Sequence, residues 1–211
     1  KNLSSQQWAA LGTDQIRALN SGQLAALETS TLRGLTSDQV GGLSSAQLAV
    51  ISGNQLSALD VGQWPAWSSA QIQALSTSAL SKLASQHISA WTSAQVGAMT
   101  SAQIKALGTA QINALESTDL LTWGSQQIQS MATAALANLA SHLIGGLSSG
   151  QIKALTTDQV AVLTSSQLTG AFSTAMIRAL TTAQFAQIST AKLSKLSVTQ
   201  VAAMETVDLA S

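Results

Sequence analysis

His87 and His142 are the only imidazoles in this 211-residue chain, so acid–base or metal chemistry would have to start with them. No Cys accompanies them, they share no motif, and no H-x-x-x-H spacing places two imidazoles on one helical face. The nine carboxylates are scattered, with two close pairs, Glu116/Asp119 and Glu205/Asp208. A general acid/base couple needs a pocket that sets its two members apart, and nothing around these pairs supplies one. Serines are abundant, yet none sits in a G-x-S-x-G turn. Gly41-Gly42 and Gly145-Gly146 lack the strand and Lys-Ser/Thr context of a phosphate loop. The reading from residues is therefore a non-enzymatic chain with no catalytic, cofactor-binding or metal-ligating residue and no cofactor.

Composition narrows the partners. Nine acids balance nine bases, and charged residues make up only 9% of the chain. Without a basic run, electrostatic capture of nucleic acid or of an anionic membrane surface is not expected. No apolar run reaches the length of a membrane-spanning helix and no signal peptide is visible, although a targeting segment could precede Lys1. At 45% hydrophobic residues the chain is too apolar to be disordered.

What positions these residues is an eight-residue period. With positions a to h counted from Ser4, position e is apolar in all 26 copies, from Trp8, Ile16 and Leu24 to Leu209. Position h is equally strict, from Leu3 to Met204; Gln fills position d in 17 of 26 copies, and position g is mostly Ala or Gly. One residue is inserted between Leu168 and Phe172, which reads as a local bulge or widened turn. The five tryptophans, Trp8, Trp64, Trp67, Trp91 and Trp123, all take core positions e or h, where burial explains them better than ligand stacking. His87 and His142 take positions d and c in place of the usual Gln or Ala.

Eight residues of continuous α-helix turn through about 800°, so an unbroken helix would carry its apolar stripe around every side. A strand fails because e and h differ in parity and would face opposite sides of a sheet. A spacing of three within the unit is, however, one helical turn. The chain must break after each h. Position a is a favoured N-cap type in 20 of 26 copies, and Gln three residues later completes a capping box. All nine acids lie at a, c or d, and eight of nine bases at f or g, compensating the dipole of a helix that restarts every octad. Lys192, at d, is the exception. Position b is Ser or Thr in 23 of 26 copies, so either b is the true cap in some units or its hydroxyl has a second use. Pro65 removes a backbone donor, and its octad, Asp60 to Trp67, is expected to be distorted.

Helices of six or seven residues cannot stand alone. The expected fold is all-α, a solenoid or superhelix of very short helices, one per eight-residue repeat, with close approach at position g. The number of octads per turn and the handedness do not follow from sequence. Residues 1–211 read as a single continuous octapeptide-repeat array, an excerpt of a longer one or a unit that self-associates end to end.

Segments such as Met99-Thr100-Ser101-Ala102-Gln103-Ile104-Lys105-Ala106 and Leu155-Thr156-Thr157-Asp158-Gln159-Val160 resemble the Leu-Thr-Thr-Ala-Gln-Ile-x-Ala arrays of large secreted or surface proteins of proteobacteria, often labelled haem-utilisation or adhesion proteins. The resemblance implies an extracellular or cell-surface bacterial setting; no haem ligand carries over to any residue here. The expected function is that of a structural repeat segment, an adhesin stalk or self-assembling filament. The alternatives are a superhelical module for a protein, glycan or host-surface ligand, and a hydroxyl lattice matched to ice or polysaccharide.

Overall fold

The computed structural model describes residues 3–204. Among them there is no strand, and short helices follow one another at intervals of eight residues. Most are four to six residues long, shorter than the six or seven expected, because the chain leaves the helix anywhere from f to h. Ser101–Ala106 is representative. Its N-cap Thr100 is extended and accepts a hydrogen bond from the Gln103 amide, and its C-cap Leu107 is extended again at φ −70° and ψ 134°. Position a is thus the cap and b the first helical residue, which settles where the Ser/Thr-rich position sits.

The chain divides into two compact units, Lys1–Ala114 and Leu115–Ser211. Within each, a helix packs on the third helix along. In the first unit Ser5–Ala9 lies on Thr29–Arg33, and Thr77–Leu80 on Ser101–Ala106; in the second Ser125–Ser130 lies on Ser149–Ala154, and Ser141–Gly145 on Ser165–Ala171. Each unit is therefore a solenoid whose turns touch only neighbouring turns. Its axis is lined by position e, with Ile72, Ile104, Ile112, Leu136, Ile152 and Leu168 all fully buried. Position h, as at Leu75, Leu107 and Leu155, closes the core at slightly greater exposure. At about 1.5–3 kcal/mol per buried aliphatic side chain, this stripe holds helices too short to survive in water.

Position g sets how closely turns approach. A Cβ at Gly146 would stand 2.6 Å from the Cβ of Ser117, and one at Gly42 would stand 3.2 Å from that of Thr13. In both cases a g residue lies on the b residue 29 positions earlier.

Two irregularities behave differently. The Pro65 octad is distorted as expected: Val61–Ala66 is a 3-10 helix, since proline cannot supply the donor that α-helical pairing needs. The inserted residue, by contrast, does not make a bulge or widen a turn. It lengthens a helix, Ser165–Ala171, to seven residues, and the chain turns extended at Phe172.

Candidate functional site

The most elaborate chemistry in the fold is built around position d. Gln103 shows why. Its Oε1 accepts the Thr100 N–H at 2.9 Å, closing the capping box. Its Nε2 donates to the carbonyls of Ile72 at 2.8 Å and Leu75 at 2.9 Å, which belong to positions e and h four octads earlier. The Leu75 carbonyl has no partner in its own helix, because the chain turns extended there. One carboxamide thus satisfies a helix start in one turn and a helix end in the turn before. The same staple recurs from Gln47 to Ile16 and Leu19, from Gln111 to Leu80 and Leu83, from Gln151 to Leu120 and Trp123, and from Gln159 to Ile128 and Met131. These glutamines are buried, Gln159 to 1% exposure, a depth a polar side chain tolerates only when fully hydrogen-bonded. Across the insertion the staple stretches by one residue, as Gln184 reaches Ile152 and Leu155, 32 and 29 residues back. Gln15 and Gln23, in the first turn, make only the cap half and stay exposed.

Secondary bonds follow the same register. Arg17 Nε donates to the Gly42 carbonyl at 3.1 Å and Arg33 Nε to that of Ala58 at 3.4 Å, both 25 residues on. The position-b hydroxyl has a second use in places, as Ser117 Oγ donates to the His142 carbonyl at 3.1 Å. Lys192 also finds its reason. Standing where Gln usually stands, its Nζ donates to the Ala161 carbonyl at 2.6 Å, 31 residues back, so it keeps the donor half of the staple. Lys192→Met should lower the stability of the second unit by about 1 kcal/mol in chemical denaturation, whereas Lys192→Gln should be neutral or stabilising.

The array departs from its rule at two consecutive octads of the first unit, where Ala79 and His87 replace Gln. No hydrogen bond from the described residues reaches the carbonyls of Ile51 and Leu59, which a Gln at 79 and 87 would have met. Clefts open at both places. The larger, about 550 Å³, is lined among others by Arg33, Leu59, Asp60, Gln86 and His87, and the smaller, about 170 Å³, by Ser52, Asn54, Ala79 and Lys82. His87 itself is 5% exposed and its Nδ1 has no partner. Burial pushes its pKa below the ordinary imidazole value, partly offset by the Ala84 backbone. It lies against an aromatic cluster: Trp64 stands 5.9 Å from His87, 4.7 Å edge-on from Trp67 and 5.7 Å from Trp91. Trp67 Nε1 donates to the Val40 carbonyl, but the indole N–H groups of Trp64 and Trp91 are buried without acceptors.

The other residues singled out from sequence are placed as follows. His142 is exposed at the surface of the second unit. Asp119 is buried at d, and its Oδ2 accepts the Glu116 N–H at 2.9 Å, the capping half of the Gln role. Glu205 and Asp208 lie outside the described residues. Trp123 is buried and Trp8 half-buried. Among the described residues no three His, Asp or Glu side chains gather as metal ligands, and no helix is long and apolar enough to cross a membrane.

With this geometry in view, the family model of the ALTTAQ repeat matches residues 1–29, 16–53, 80–109, 88–121 and 144–170, together more than half of the chain. The chain belongs to the ALTTAQ repeat family. The repeat's name is physically legible here, its Thr as cap and its Gln as staple. The windows skip 54–79, which holds Pro65 and Ala79, and begin again beyond Ala135 and Leu143, both non-Gln residues at d. Among curated proteins none matches the chain.

Proposed function

We propose that this ALTTAQ repeat array is a non-enzymatic structural segment of a bacterial extracellular or surface protein, serving as an adhesin stalk or self-assembling filament. The observation that carries the reading is the Gln staple. It joins each turn to the one before through the same two carbonyls, so the coil can be lengthened octad by octad without a new kind of contact. The polar side chains in the interior are mostly committed to these backbone bonds, which leaves little buried chemistry for a reaction. Electron microscopy of the purified chain over a range of concentrations should show elongated particles or end-joined fibres. Compact single particles throughout would overturn the proposal.

A second reading is favoured by the exposed hydroxyls at position b, among them Thr13, Ser37, Ser69, Ser101 and Thr157. Regularly spaced, they suit a glycan or an ordered hydroxyl surface such as ice or polysaccharide. Glycan-array binding or thermal hysteresis would favour this reading over a passive stalk.

A further inference from the structure

The unstapled octads of Ala79 and His87, the unpaired carbonyls of Ile51 and Leu59, the 3-10 helix at Pro65 and three buried side-chain nitrogens without partners all fall in one part of the first unit. In most other octads the position-d side chain is an uncharged Gln, and where it is buried its amide bonds both to its own cap and to the turn before. Here it is the one side chain in the interior whose charge changes between about pH 5 and 8. We infer that the turn carrying His87 is a proton-triggered seam, in which protonation of His87 opens its contact with octads 52–59 and 60–67 and uncovers the Trp64, Trp67 and Trp91 cluster.

The argument rests on what faces the imidazole. The neutral ring is tolerated inside an aromatic cluster. The imidazolium adds a charge and a second N–H, the buried Nδ1 makes no hydrogen bond, and the Ala84 backbone favours the charged ring less than burial disfavours it. From the helix Val61–Ala66 and its cap come Trp64 and the Asp60 carboxylate; from the octad of Thr29–Arg33 comes the Arg33 guanidinium. From Thr109–Ile112, the other helix packed on Ser85–Ile88, no titratable side chain comes. Asp60 and the Trp64 ring attract a cation and Arg33 repels it. Asp60 and Arg33 are exposed and screened by water, so the burial of His87 decides. The cleft beside His87 gives protons access without unfolding. A buried base whose folded-state pKa lies below its unfolded value of 6.5 contributes stability at higher pH, and that contribution falls away as pH drops below 6.5.

Tryptophan emission and acrylamide quenching, followed from about pH 7.5 to 5, test the seam in the wild type, His87→Gln and His142→Gln chains. Wild type and His142→Gln should show a red shift and greater quenching, with a midpoint below 6.5. His87→Gln restores the array's own staple and should show neither. In the wild type the His87 Cε1–H resonance should titrate with the same midpoint as the emission. A transition that persists in His87→Gln, a flat wild-type response down to about pH 5, or two different midpoints would each overturn the inference.

Discussion

Gln103→Glu is expected to destabilise the first unit by about 2–4 kcal/mol, and by more than Gln103→Ala. Local helix rules forecast the opposite, since Glu is as good as Gln at the third position of a capping box and better for the dipole. The carboxylate would still accept the Thr100 N–H. It cannot donate, however, and would bring a charge within hydrogen-bond distance of the Ile72 and Leu75 carbonyls in a buried place. Protonation supplies one O–H donor, so the folded state should raise the pKa of the introduced carboxyl. The sign follows: the variant should approach wild-type stability below the unfolded carboxyl pKa and lose ground as pH rises through the folded one. Denaturation monitored by circular dichroism at neutral and acid pH reads both effects. Equal stability of the Glu and wild-type chains at neutral pH would show that the staple contributes nothing.

Gly53→Ser should cost about 1–3 kcal/mol although it installs the residue type that position b nearly always has. Its Cβ would stand 2.7 Å from the Lys82 Cβ and 3.0 Å from the Ala79 carbonyl. Lys82 occupies position g, where Ala or Gly is usual, so the long residue at g and the missing side chain at b compensate one another across the turn. The backbone at Gly53 has an ordinary negative φ, so steric space alone is at issue. Lys82→Gly removes both the Cβ and the Cδ that the new side chain would meet, so the double variant should recover much of the loss and leave only the tight approach to the Ala79 carbonyl. Coupling below about 0.5 kcal/mol in this double-mutant cycle would mean the two turns separate more easily than their contact implies.

Sequence determined everything whose cause lies within about four residues. The period of eight, the cap at position a, the segregation of acids and bases and the burial of e and h each follow from local helix physics, and each was legible in residues such as Thr100, Gln103 and Ile104. The distortion at Pro65 was legible for the same reason. The preference for Gln carried a further signal that local rules do not use: position d holds 17 glutamines and no Glu, although a capping box accepts either. Only the tertiary structure decided what that preference is for. The acceptors of Gln103 lie 28 and 31 residues away, so neither the staple nor the return of the chain after three to four octads is visible until the coil closes. Lys192 at d and the Gly53–Lys82 exchange became intelligible for that same reason: each is a local exception fitted to a residue one turn away.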